Sequence, residues 1–256
     1  MIIDAHTHIH PDAKGFGEKY DASVENLINS LENSDVDKAI VLPIYPEIPN
    51  KFVADACKKY PDKLIGFASV NPLEGVKAAE ILEKDVKRYN LKGLKLHPRL
   101  QDFDLKDPRL IPIFQKCAEL KIPVVVDAFP GINLSNNESI PVLIGRIAST
   151  VPDVNIIIAH AGGYKILDTL FVAKSYENIY LDISYTPFYF QGSSIERDIK
   201  FVIKKIGANR CIYGSDHPEL ELSSTFDLSV KLLKKYGLSK EEMKYILGET
   251  INSLIS

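Results

Sequence analysis

The sequence predicts an α/β fold: a (β/α)8 TIM barrel with one extra C-terminal helix. Three observations carry that expectation. Short apolar, β-branched runs recur along the whole chain, and runs such as Val124-Val125-Val126 and Ile156-Ile157-Ile158 are apolar on both faces, as strands of a buried parallel sheet are. Amphipathic stretches with helical spacing lie between the runs. The length of 256 residues is what one such barrel typically occupies.

In chain order the strand-like runs are Ile2 to Ala5, Lys38 to Leu42, Leu64 to Ser69, Gly93 to Leu96, Pro123 to Val126, Val154 to Ala159, Ile179 to Ile183 and Arg210 to Tyr213. The intervening stretches repeat apolar residues every three or four positions, as in Val24, Leu27, Ile28 and Leu31, or Val76, Ala79, Ile81, Leu82 and Val86. Right-handed crossovers through such helices join parallel neighbours. A doubly wound open sheet is the alternative, but no GxGxxG follows the first strand. From Ser239 to Ile255 the chain reads as one closing helix, with Ser239 as N-cap and Glu242 at the capping-box position. No linker or low-complexity tract divides residues 1–256, so a single domain is expected.

Charge narrows the function. The chain has 31 basic and 34 acidic residues, a formal charge of −3, which gives no basic footprint for nucleic acid or anionic lipid. The amino terminus lacks the pattern of a signal peptide, and the apolar runs fall short of the roughly 20 residues that span a bilayer. Cys57, Cys117 and Cys211 are odd in number and show no CxxC spacing, so buried packing in a reducing cytoplasm is expected of them. Neither a Walker-type loop nor Gly-x-Ser-x-Gly is present.

The chemistry gathers at the carboxyl ends of the predicted strands, the face on which barrels react. Asp4, His6 and His8 share parity at the first; Lys95 and His97 end the fourth, Asp127 the fifth, His160 the sixth, and Asp216 and His217 the eighth. Residues two apart in a strand face the same way, so His6 and His8 can present a metal clamp to the barrel mouth. By itself a His-x-His pair reads equally well as two hydrogen-bonded structural histidines. Convergence of five strand ends favours the clamp, because buried imidazoles and carboxylates without partners are costly and a cation relieves that cost.

Five segments carry a family resemblance: Ile-Asp-Ala-His-Thr-His at 3–8, Gly-Leu-Lys-Leu-His-Pro at 93–98, Ala-His-Ala-Gly-Gly at 159–163, Tyr-Gly-Ser-Asp-His-Pro at 213–218 and Ile-Leu-Gly-Glu-Thr at 246–250. Their order and placement resemble the amidohydrolase superfamily, and more narrowly the amidohydrolase-2 branch with its aminocarboxymuconate-semialdehyde and resorcylate-type decarboxylases. The resemblance implies that His6 and His8 bind one divalent metal ion, usually zinc, that Asp216 is a further ligand and catalytic group, and that His160 is the proton shuttle or charge stabiliser. One position departs from the pattern. Members commonly carry a ligand histidine at the end of strand five, where this chain has Asp127. Asp127 is expected to ligate in its place, making a harder site open to manganese or iron as well as zinc.

In two-metal members of the superfamily a lysine at the end of strand four is carboxylated and bridging; here Lys95 fits the one-metal branch. His97, Arg99 and Tyr185 are the expected substrate contacts, with Arg99 able to grip a carboxylate. Two loops flank the expected mouth: His10 to Tyr20, with Gly15 and Gly17, and the aromatic run Tyr185 to Phe190, which suits a dimer interface as well as a flat substrate. The expected activity is hydrolysis of an ester, lactone or amide of a small organic molecule through a metal-activated water, or decarboxylation of a metal-anchored acid. A TatD-like nuclease and an inactive barrel serving as a scaffold subunit are the alternatives.

Overall fold

The computed structural model describes residues 1–15, 19–131 and 138–256; Gly17 lies outside them. Eight strands alternate with helices: β1 (Ile3–Thr7), β2 (Lys38–Val41), β3 (Leu64–Gly66), β4 (Leu94–Leu96), β5 (Val124–Val126), β6 (Ile156–Ile158), β7 (Ile179–Asp182) and β8 (Cys211–Ile212). The first six longer helices are α1 (Val24–Glu32), α2 (Asn50–Lys59), α3 (Val76–Tyr89), α4 (Ile111–Leu120), α5 (Ile140–Thr150) and α6 (Ile166–Ser175). After β7 come a short α7 (Thr186–Tyr189) and α8 (Ser194–Ile206), and after β8 come α9 (Leu222–Lys235), α10 (Lys240–Lys244) and α11 (Thr250–Ile255).

All pairings are parallel and follow chain order, β1 to β3 in one sheet and β4 to β8 in the other. Two seams join the sheets into a ring, with Thr7 against His217 and Ala68 against Leu94. Backbone bonds reinforce both: Ala5 N donates to Tyr213 O at 3.0 Å and His8 N to His217 O at 2.7 Å, while Lys95 N donates to Ala68 O at 2.8 Å. The result is the closed barrel that the run count predicts.

Alternation within the strands sorts the core into two layers. Val124, Val126, Ile156, Ile158, Leu94 and Leu96 pack outward against the helices. Ile40, Phe67, Val125, Ile157 and Ile212 fill the barrel. The same inward parity, followed to and just past the strand ends, places Lys95, His97, Asp127 and Asp182 in the upper layer of the barrel. On α3, Ala78, Ala79 and Leu82 are buried, whereas Val76 and Ile81 face solvent, so the apolar stripe is narrower than the spacing suggested.

The tail differs from the single closing helix that the sequence predicts. Ser239 and Glu242 do form the capping box of α10, but Tyr245–Glu249 is a wider turn and Gly248 leaves helical geometry before α11. Close approach explains the break: a Cβ on Gly248 would stand 2.3 Å from Met1 O. The tail thereby seats Ile251 and Leu254 against Ile3 inside the barrel. Cys117 and Cys211 are buried and Cys57 half-buried, all as free thiols. Among the described residues no helix is long and apolar enough to cross a membrane.

Candidate functional site

His6 and His8 are aimed by what their Nδ1 atoms touch. His6 Nδ1 lies 2.5 Å from Asp182 Oδ2, and His8 Nδ1 lies 2.7 Å from Leu42 O. Both partners are acceptors, so each Nδ1 carries the proton and each Nε2 keeps a lone pair. The two Nε2 atoms stand 3.5 and 3.7 Å from Asp216 Oδ1. These ligand atoms of His6, His8 and Asp216 all fall within 4.8 Å of one another. Burial depresses the pKa of both imidazoles, that of His8 strongly, so they remain neutral. Two neutral imidazoles and a carboxylate with aimed lone pairs fit a divalent cation.

Local backbone features make this convergence. The β1–β2 register shifts between Asp4 and Thr7, so strict alternation breaks where the clamp begins. Ile3 and Ala5 face the barrel interior below the shift, and His6 and His8 reach the mouth above it. Asp4 does not join them: its Oδ1 accepts from His6 N at 3.1 Å and Ser215 N at 2.9 Å, tying β1 to the segment after β8. Burial lifts the Asp4 pKa to about 7. Gly214 has to be glycine, since a Cβ there would stand 2.6 Å from His6 Cβ. Asp216 itself has φ 68°, in the left-handed region that costs a non-glycine residue roughly 1 kcal/mol. His160 and Tyr185, at φ 55° and 59°, share that strain, and such outliers gather at functional sites.

A second polar group adjoins the first. Asp127 Oδ2 lies 3.1 Å from His160 Nε2 and 3.5 Å from His97 Nε2. On the far side of the ring, Ser184 Oγ sits 3.0 Å from His160 Nδ1 and donates to Asp182 Oδ2 at 2.8 Å. The one hydroxyl proton of Ser184 is spent on Asp182, so His160 must donate from Nδ1 as well as towards Asp127. The imidazole is therefore doubly protonated. Burial opposes that charge, but Asp216, Asp127 and Asp182 outweigh it and raise the His160 pKa to about 9. Burial likewise opposes the charge of Asp127, while the cationic His160 and Lys95 hold its pKa well below the ordinary value. His97, pushed down to about 3 chiefly by burial, is the neutral member.

Lys95 lies within this layer at 1% exposure, with Nζ 3.2 Å from His6 Nε2. Burial lowers its pKa against the pull of Asp127, Asp216 and Asp182.

Above these groups opens a cavity of about 430 Å³. His6, His8, Asp216, His160, Asp127 and His97 line its floor. Phe129, Tyr185 and Tyr189 form one wall: Phe129 meets Tyr185 edge-on at 5.1 Å between centroids, and Tyr185 stacks on Tyr189 at 5.5 Å. Tyr185 is anchored by its hydroxyl, which donates to Glu219 Oε1 at 3.1 Å. Arg99 stands exposed at the rim, and among the described residues its guanidinium has no ion-pair or hydrogen-bond partner.

Thus His6, His8, His97, Arg99, Asp127, His160, Tyr185 and Asp216 all line one cavity, whereas Asp4 and Lys95 lie outside its lining. His6, His8 and Asp216 form one donor group, whereas Asp127 faces His160 and His97 and belongs to no donor group found among the described residues. His217, also at a strand end, is buried off the cavity, and among the described residues neither of its ring nitrogens has a hydrogen-bond partner. Asp182 and Ser184 were missed. The signal was the acidic residue ending Ile-Tyr-Leu-Asp in β7, at the same level as Asp127 after β5.

A family model described as amidohydrolase matches residues 3–252. Among curated proteins no relative matches significantly. Solved structures share the fold at low identity. A probable 2-pyrone-4,6-dicarboxylic acid hydrolase from Acinetobacter baumannii is 19% identical, with 99% of this chain and 98% of that chain covered at a TM-score of 0.73. 2,6-Dihydroxybenzoate decarboxylase from Rhizobium is 16% identical over 99% and 98%, at 0.76. A 5-carboxyvanillate decarboxylase from Novosphingobium aromaticivorans, solved with bound manganese, is 15% identical over 100% and 97%, at 0.76.

Proposed function

The chain belongs to the amidohydrolase family, and on that premise we propose that it is a metal-dependent hydrolase acting on an ester, lactone or amide of a small organic acid. The observation that carries this reading is the convergence of His6 Nε2, His8 Nε2 and Asp216 Oδ1 at the floor of the cavity. A divalent ion held there, with zinc as the first choice and manganese or iron as alternatives, would supply a Lewis acid and an acidified water.

The chain's own groups have separate tasks. Asp216 accepts the proton from the attacking water, since it is the carboxylate beside both imidazoles. His160, protonated between Asp127 and Ser184, stabilises negative charge that develops on the substrate oxygen. Asp127 serves through that pairing. Arg99 at the rim binds the substrate carboxylate, and His97 and the Tyr185 wall orient a flat body.

Decarboxylation of an aromatic or unsaturated acid is the second reading. The buried cationic His160 favours it, because an acid at the cavity floor can pass its proton to carbon once it gives up the bond to Asp127. Elemental analysis of protein purified without chelator tests the shared premise: about one metal per chain is expected, lost in His6→Ala and His8→Ala. Metal-free protein would instead favour an inactive scaffold. A screen of aryl esters and lactones against hydroxybenzoates, read by product acid and by released carbon dioxide, separates the two chemistries; cleavage of single-stranded DNA would replace both with a nuclease.

A further inference from the structure

His6 Nε2 has a single lone pair, and Lys95 already uses it. With Nδ1 committed to Asp182 at 2.5 Å, Nε2 can only accept, and the Nζ–H of Lys95 is its donor at 3.2 Å. The same Nε2 belongs to the donor group of His8 and Asp216. Lys95 is also enclosed: it is 1% exposed, it faces the charges of Asp127, Asp216 and Asp182, and it does not line the cavity, so no substrate contact accounts for its place.

We propose that Lys95 is an internal competitor for the metal, sharing the His6 lone pair that an ion would need, so that an ion binds only by turning the amino group away. The proposal rests on the metal reading above. Two effects act together. Entry of the ion breaks the Lys95 to His6 hydrogen bond, and it brings a dication beside a buried amino group. Affinity is therefore set below what His6, His8 and Asp216 alone would give.

The test is titration of chelator-stripped full-length protein with zinc against a chromophoric competitor, comparing wild type with Lys95→Met. The expected result is tighter binding by Lys95→Met, on the order of tenfold. Equal or weaker binding by the variant, or no binding by either protein, overturns the proposal; equal binding with wild type still loaded leaves the metal reading standing, whereas no binding by either sinks both. Should Lys95→Met not fold, crystals of wild type with and without zinc decide. The Nζ to Nε2 contact must be present without the ion and lost with it, and its survival beside bound zinc is the contrary result.

Discussion

Asp127 Oδ2 and His160 Nε2 face each other across 3.1 Å at the floor of the cavity, with both side chains almost fully buried. The pair joins the ends of β5 and β6, and it gives Asp127 work that needs no metal. Its contribution depends on pH in a definite direction. The His160 pKa is raised from 6.5 to about 9, so the stability it adds is complete below pH 6.5 and is lost as pH rises through 9. Asp127 is held below 3.8, so its share is complete above that value and is lost only in stronger acid.

Metal-free wild type is therefore expected to lose stability between pH 6.5 and 9. In Asp127→Asn that decline flattens, and at pH 6 the variant is less stable by about 3 kcal/mol, as for a buried pair stripped of one partner. Thermal melts in chelator across this range measure both effects. A parallel decline in the two proteins would remove the ion pair from the account.

Asp182 holds the His6 ring from behind, and acceptors in that position typically govern metal affinity by ten- to a hundredfold. Asp182→Asn is expected to weaken zinc binding by about that range while leaving the far-ultraviolet circular dichroism unchanged. Ser184→Ala, which removes only the bridge to His160, should weaken it by much less. Chelator competition gives both numbers.

Gly214 is packed against the clamp, with His6 Cβ 2.6 Å and Ser184 Cβ 3.1 Å from the site of an added methyl group. Gly214→Ala should cost about 1–3 kcal/mol through overpacking and displace His6 enough to reduce metal affinity as well. Denaturant unfolding of the stripped protein isolates the first effect, and zinc titration reads the second.

Arg99 is the cation at the rim with no partner among the described residues. If it grips a substrate carboxylate, Arg99→Ala raises KM by about ten- to a hundredfold with kcat nearly unchanged, and Arg99→Lys recovers only part because a point charge cannot bind in bidentate fashion. Steady-state kinetics on the first substrate found will decide. A loss confined to kcat would place Arg99 elsewhere in the reaction.

The barrel was legible because its strands are uniformly apolar and its helices amphipathic, patterns that survive without knowledge of tertiary contacts. The residues on the cavity floor were legible for a related reason: barrel chemistry sits at strand ends, and His6, His8, Asp127, His160 and Asp216 all follow short apolar runs. Their division of labour was not. Asp127 shares the inward parity of a ligand, and its 3.1 Å approach to His160 is a tertiary contact that the sequence does not carry. The parity that joined Asp4 to His6 and His8 failed at the β1 register shift, which side-chain alternation alone cannot reveal. Asp182 and Ser184 are not legible, because nothing in Ile-Tyr-Leu-Asp-Ile-Ser shows that they meet imidazoles from β1 and from the end of β6. Nothing in Gly-Leu-Lys-Leu-His-Pro announces that the Lys95 amino group ends on an imidazole from β1.

The clamp straddles the seam at which β1 meets β8. His6 and His8 come from the start of the chain and Asp216 from near its end, and the nearby bond from Ser215 to Asp4 spans 211 residues of sequence. An ion at this spot would act as a clasp on a bracelet. The full ligand set cannot assemble until the ring has closed, so an ion bound there would stabilise the closed ring over the open one.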